Sequence, residues 1–185
     1  MIENFWYTNL KKEVEEKIRN VPDFPKEGIQ FKDITPIFKD ASLFEKLMSY
    51  YAKELTGNGI NKIVCVDARG FIFGSVLANK MGLPFVLARK KGKLPGKRLR
   101  HTYNLEYGSA TVEIHFDDIK KSDNVLIVDD LLATGGTVNA VTQLVEKLGG
   151  SVHGYWFLIE LEFLEGRYKI ETQNKETNFY SLIEY

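Results

Sequence analysis

The stretch Val125–Thr137, VLIVDDLLATGGT, decides how this chain is read. Four apolar residues without alternation, Val125 to Val128, suit a strand buried on both faces. Two adjacent acids follow, Asp129 and Asp130, and then a small-residue loop, Ala133-Thr134-Gly135-Gly136, that opens a helix near Thr137. Val138, Val141, Leu144, Val145 and Leu148 give that helix its buried stripe. The first turn of such a helix carries unpaired N–H groups and partial positive charge, and glycines let a phosphate approach the backbone closely. Thr134 and Thr137 add hydroxyl donors. Ionised Asp129 and Asp130 only accept hydrogen bonds, which suits them to a metal or to sugar hydroxyls. The loop lacks the lysine of a G-x-x-x-x-G-K-[ST] motif and the chain has no G-x-G-x-x-G, so nucleoside-triphosphate hydrolysis loses support. A purely structural alternative, acids that cap a strand and glycines that turn, accounts for a lone Gly-Gly turn better than for the whole string.

Outward from this stretch, Ile63–Val66, Phe85–Ala88 and Tyr155–Leu161 are further apolar runs. The segments at 71–81 and 136–148 are long enough for crossover helices, which predicts an α/β fold with a mainly parallel sheet. Ser109–Phe116 alternates and forms a hairpin with the residues before it. Upstream, Tyr7, Leu10, Val14, Ile18 and Val21 predict an amphipathic helix over residues 5–20, ending before Pro22. PDFPKEGIQFKD (22–33) reads as irregular and turn-rich. Ser42 and Glu45 form a capping box for a second helix, with Leu43, Leu47, Met48, Tyr51 and Leu55 as its stripe and Gly57 and Gly59 as its stop.

Ligands of an open parallel sheet bind beyond the carboxyl ends of its strands. There the chain delivers Asp67-Ala68-Arg69-Gly70, Arg89-Lys90-Lys91-Gly92-Lys93 and the Asp129–Thr137 string. Residues 89–100 hold seven Lys or Arg and no acid, so they read as a mobile cationic flap, the alternative being a solvated loop.

The 185 residues, 44% apolar with 5 prolines, suit a single compact domain. Twenty-five Lys+Arg balance 25 Asp+Glu, so no whole-molecule field draws the protein to nucleic acid or an anionic membrane. No membrane span or cleavable leader is visible, and a cytoplasmic location is expected. Cys65 reads as a small buried hydrophobe rather than a nucleophile. His101, His115 and His153 are too scattered to suggest metal ligands.

Together VLIVDDLLATGGT, ARGFIFG (68–74), RKKGKLPG (89–96), NLEYG (104–108) and PDFPKEGIQFKD resemble the adenine phosphoribosyltransferase family, over about residues 20 to 165. The first string alone indicates only the wider type I phosphoribosyltransferases. The resemblance implies one domain over 1–185. Its twisted, mainly parallel sheet is flanked by helices, with an N-terminal hood (1–36) and a flexible β-hairpin lid (93–116). It implies transfer of the phosphoribosyl group of phosphoribosyl pyrophosphate to adenine, giving AMP and pyrophosphate, in a homodimer. Mg²⁺ is required, held mainly by substrate oxygens and water rather than by protein ligands.

By the same resemblance the 5′-phosphate falls on Ala133, Thr134, Gly135, Gly136 and Thr137, and the ribose hydroxyls on Asp129 and Asp130. Pyrophosphate falls near Asp67, Ala68 and Arg69, where the family often has a cis peptide, and near Lys90 and Lys93. Adenine falls on Gln30, Phe31, Lys32 and Leu131. Arg69, Glu106 and Tyr107 are the catalytic residues, with Glu106 as general base. Lys32 stands where many relatives carry Arg, and the start Phe5-Trp6-Tyr7 and the polar stretch Glu171–Asn178 are unfamiliar. The alternatives are a transferase for 6-oxopurines (hypoxanthine, guanine or xanthine) and a non-catalytic regulator that senses phosphoribosyl pyrophosphate.

Overall fold

The computed structural model describes residues 2–104, 108–173 and 177–185. Glu106 and Tyr107 therefore lie outside the described residues. Two compact units are formed, Met1–Tyr51 and Ala52–Tyr185.

The first unit begins with α1 (Ile2–Lys17), in which Leu10 and Val14 are buried. The helix stops earlier than the apolar stripe predicts: Ile18 lies just past its end, its N–H donating to the Glu15 oxygen at 3.1 Å, and Val21 follows an extended path. Val21 belongs to β1 (Arg19–Pro22), which pairs antiparallel with β2 (Gln30–Asp33) in the register Val21↔Phe31. PDFPKEGIQFKD is thus half turn and half strand. Its turn contains a cis Phe24–Pro25 peptide, and the Gly28 N–H donates to the Asp23 carboxylate at 2.7 Å. After α2 (Thr35–Phe38) comes α3 (Ala41–Leu55). Its cap is Asp40 rather than Ser42, which lies inside the helix: the Leu43 N–H donates to Asp40 Oδ1 at 3.1 Å, the usual bond from N-cap to third residue. Lys17, 2.9 Å away, and that N–H hold the Asp40 carboxyl below the usual range.

The second unit carries a seven-stranded sheet. In chain order its elements are β3 (Lys62–Val66), α4 (Gly70–Met81), β4 (Phe85–Lys90), β5 (Arg98–Asn104), β6 (Ser109–His115), β7 (Asn124–Leu132), α5 (Gly136–Lys147) and β8 (Ser151–Glu160). A 3₁₀ turn (Glu162–Leu164), α6 (Gly166–Glu171) and β9 (Asn178–Glu184) complete it. Spatial order is β5-β6-β4-β3-β7-β8-β9, with β4 through β9 parallel and the β5–β6 hairpin antiparallel on one edge. The sheet is therefore mainly parallel, as the unalternating apolar runs predict. β9 has no counterpart among the sequence expectations.

Strand alternation explains why those runs are apolar throughout. Val64, Val66, Val125, Ile127, Tyr155 and Phe157 join the core built on α5 with Val138, Val141, Leu144 and Val145. Cys65, Val128 and Trp156, one residue out of phase, meet α4 on the other face through Gly74 and Phe73. Cys65 is wholly buried, and burial pushes its thiol up to about 12, which makes it a packing residue. Phe85, at the rim, is half exposed. Among the described residues no helix is long and apolar enough to cross a membrane.

Candidate active site

Unequal strand lengths make the site. β3 ends its pairing at Val66 opposite Ala88, and at Cys65 opposite Val128. Both neighbours run on: β4 continues through Arg89 and Lys90 against β6, and β7 through Asp129–Leu132 against β8. Asp129 and Asp130 are thus still strand residues rather than the loop after it. A notch remains at the end of β3, at the switch point where α4 crosses one way and α5 the other, the position a parallel sheet reserves for ligands.

The cavity there is about 710 Å³. Val66–Arg69 form one part of its lining, Lys90, Lys91, Thr111 and Val112 another, and Asp129–Val138 a third. The Asp67–Ala68 peptide is cis. Gly70 lets α4 start against β7, since a Cβ there would fall 2.6 Å from the Val128 carbonyl oxygen.

Two ion pairs lie at the notch. Arg69 Nε is 2.6 Å from Asp130 Oδ2, joining the two sides of the switch point. Arg89 Nε donates to Asp67 Oδ2 at 3.0 Å. The Asp130 N–H donates to Asp129 Oδ1 at 2.9 Å, yet burial first, and the neighbouring Asp130 charge second, push the Asp129 carboxyl well above the usual range. Gly135 takes φ 78° and leads into α5 with no side chain capping the helix. Its first N–H groups open where Thr134–Thr137 line the cavity, and unpaired N–H groups at a helix start favour negative charge.

Ala133–Thr137, Asp129, Asp130, Leu131, Asp67, Ala68, Arg69 and Lys90 are thereby brought together, all of them residues the sequence singles out. Lys93 is exposed in the turn after β4 and is absent from the lining. Gln30, Phe31 and Lys32 lie in β2 of the first unit, where Phe31 meets the Phe24 ring edge-on at 5.1 Å.

The cationic flap is only partly free. Glu113, wholly buried, lies 3.1 Å from Arg98 Nε and 2.7 Å from Arg100 Nε, and accepts the Gly92 N–H at 3.2 Å. Burial pushes Glu113 up, but these partners outweigh it and hold its carboxyl below the usual range. Lys97 sits over the Phe116 ring at 4.5 Å. Arg98, Arg100 and Lys97 are therefore architecture, and Lys90 and Lys91 are the members of the run in the cavity.

Two features escape sequence reasoning. Lys91, named in the basic run and the RKKGKLPG string but given no role there, lines the cavity. Tyr103 also lines it, and its hydroxyl shares a 2.8 Å hydrogen bond with Thr137 Oγ1. The alternation Leu99, His101, Tyr103 is the one local signal that these side chains share a face. Of the histidines, His101 lies 3.4 Å from Lys147 Nζ, His115 bonds Pro95 O, and His153 stacks on Tyr180.

A notch of this kind, with a glycine-rich helix entry facing two acids, defines a phosphoribosyltransferase. The phosphoribosyl transferase domain family matches residues 34–175, and the chain belongs to it. Over 159 residues it is 52% identical to the adenine phosphoribosyltransferase of Caldanaerobacter subterraneus subsp. tengcongensis, covering 86% of this chain and 92% of that one. Among solved structures it is similar to the adenine phosphoribosyltransferase of Thermoanaerobacter pseudethanolicus (48% identity, TM-score 0.89, 95% of this chain and 99% of that one). It is also similar to that of Saccharomyces cerevisiae complexed with D-2,5-dideoxy-2,5-imino-altritol 1,6-bisphosphate and adenine (40% identity, TM-score 0.88, 95% and 99%). Within the family, the chain belongs with the adenine phosphoribosyltransferases.

Proposed function

We infer that the protein transfers the phosphoribosyl group of phosphoribosyl pyrophosphate to adenine, giving AMP and pyrophosphate, a purine-salvage reaction. One observation carries this: an uncapped helix N-terminus, two carboxylates and two lysines line a single cavity. A pyrophosphorylated sugar phosphate needs all three, since its ester phosphate suits the helix entry, its hydroxyls suit carboxylates and its pyrophosphate suits cations. The 5′-phosphate is assigned to Ala133–Thr137, the ribose hydroxyls to Asp129 and Asp130, and pyrophosphate to Asp67, Ala68, Arg69 and Lys90, with Lys91 added by its place in the cavity. Lys93 as a pyrophosphate ligand, and Gln30, Phe31, Lys32 and Leu131 as the adenine site, rest on the family resemblance. The relatives' names favour adenine over a 6-oxopurine, and catalysis over sensing.

Among the described residues no group of three or more His, Cys, Asp or Glu gathers to hold a metal. Two acids beside a phosphate-binding loop fit a Mg²⁺ that arrives on substrate oxygens and keeps its waters. When bound, Mg²⁺ neutralises charge on the pyrophosphate. The bond from the anomeric carbon to pyrophosphate breaks ahead of bond formation to the adenine nitrogen, so positive charge develops on the ribose. Arg69 and the lysines stabilise the departing pyrophosphate, each well-placed donor lowering the barrier by roughly 3 kcal/mol. Glu106 accepts the imidazole proton of adenine, and Tyr107 packs against the reactants. Residues 93–116 exclude the water that would otherwise capture the ribosyl cation. The homodimer and the cytoplasmic setting belong to the same proposal and rest on the family.

The test is to incubate the protein with Mg²⁺, phosphoribosyl pyrophosphate and each purine in turn, and to identify the nucleotide formed. AMP from adenine is expected. GMP or IMP in its place overturns the specificity, and no nucleotide with any base overturns the reaction.

A further inference from the structure

The turn that follows β8 presses against the back of the phosphate loop. A Cβ on Gly166 would lie 2.1 Å from the Ala133 carbonyl oxygen and 3.1 Å from the Gly135 nitrogen, and a Cβ on Gly135 would lie 2.9 Å from the Gly166 oxygen. Unlike Gly135, Gly166 has no left-handed backbone, so this contact alone demands glycine there.

The turn is anchored on both sides. The Leu161 N–H donates to the Leu132 oxygen at 2.9 Å, just before the loop. The residue after Gly166, Arg167, donates through Nε to Glu160 Oε1 at 2.8 Å and through Nη2 to Glu160 Oε2. Glu160 is buried at the end of β8, accepts the Ser181 hydroxyl at 2.6 Å, and its backbone oxygen accepts the Tyr185 N–H at 3.0 Å. The last strand is thereby tied to the turn that touches the loop.

We propose that Gly166 is a positioning residue for the sugar-phosphate site: its missing side chain seats the turn beneath Ala133–Gly135, and the Glu160–Arg167 pair locks it there. The inference rests on the phosphoribosyl reading of that loop. Its physical basis is the planar peptide, because displacing the Ala133 carbonyl also swings the Thr134 N–H on the same plane. A methyl group at 166 cannot remain 2.1 Å from an oxygen, so the loop must move by about 1 Å, enough to spoil a preorganised phosphate cradle.

The experiment measures ribose 5-phosphate binding to the full chain by calorimetry, with steady-state kinetics and thermal melts alongside. Gly166→Ala is expected to weaken ribose 5-phosphate by about tenfold or more and to raise the KM for phosphoribosyl pyrophosphate in parallel, while the KM for adenine changes less than about threefold. Glu160→Gln, which keeps its volume and loosens Arg167, is expected to shift the same quantities in the same direction by a smaller factor, and it carries the test should Gly166→Ala fail to fold. A folded Gly166→Ala with unchanged ribose 5-phosphate affinity, equal losses for both substrates, or an unchanged Glu160→Gln overturns the proposal. A wild-type chain that does not bind ribose 5-phosphate overturns instead the reading on which it rests.

Discussion

Gly74→Ala probes how closely the helix that carries the Arg69 turn lies on the sheet. Gly74 is in the interior of α4, where alanine by itself favours a helix by about 1 kcal/mol. A Cβ at this position, however, would lie 2.3 Å from Cys65 Sγ, 3.1 Å from Cys65 Cβ and 3.5 Å from Val128 Cβ. Ordinary contacts of this kind need about 3.5–4.0 Å, so α4 must retreat from β3 by more than about 1 Å, and Cys65 is too buried to swing aside. Overpacking of this severity costs about 3 kcal/mol. After the helix gain roughly 2 kcal/mol of destabilisation remains, or about 4–8 °C in Tm for a chain of this length. Cys65→Ala removes the offending sulfur at a cost of its own of about 1 kcal/mol, and the double variant is expected to be more stable than Gly74→Ala alone. Urea unfolding of all four proteins gives the cycle directly. A double variant whose destabilisation is the sum of the two single ones, or a Gly74→Ala melt at the wild-type temperature, refutes the packing argument.

Glu106→Gln is expected to lower kcat by roughly hundredfold or more with little change in adenine affinity; unchanged turnover removes Glu106 from the mechanism. Lys91→Ala is expected to raise the KM for phosphoribosyl pyrophosphate by roughly tenfold, as loss of a charge-assisted hydrogen bond does, and an unaltered KM places that substrate elsewhere. Glu113 has a pKa below its unfolded value, so its contribution to stability is present above the ordinary glutamate range and is lost as pH falls through the lowered folded value. Glu113→Gln should therefore flatten the acid side of the stability profile below about pH 4.3, read as urea midpoints against pH; identical acid limbs in the two proteins contradict the buried ion-pair assignment.

Much of the parallel sheet is legible in the sequence because its signals are local. Unalternating runs such as Val125–Val128 mark strands covered on both faces, and the heptad-like stripe after Thr137 marks α5. Where those signals fail, a longer-range contact has taken over. Ile18 and Val21 continue the stripe of α1 on paper, but the helix ends at Lys17 and pairing with β2 draws Val21 into a strand. The second helix is a local exception: Ser42 and Glu45 fit a capping box, yet Asp40, two residues earlier, accepts the Leu43 N–H and caps it.

By itself, then, the sequence determined the fold class, the acid pair and the glycine-rich loop after it, since each depends on residues close together in the chain and on backbone propensities that act locally. Only the tertiary structure decided that β3 stops short of its neighbours and so leaves a cavity, and that Glu113 holds Arg98 and Arg100 while Lys90 and Lys91 line the cavity. It likewise decided that Tyr103 meets Thr137 and that Gly166 lies under Ala133. Those partners are 13 to 34 residues apart. Close packing joins them, and no spacing within the sequence encodes it.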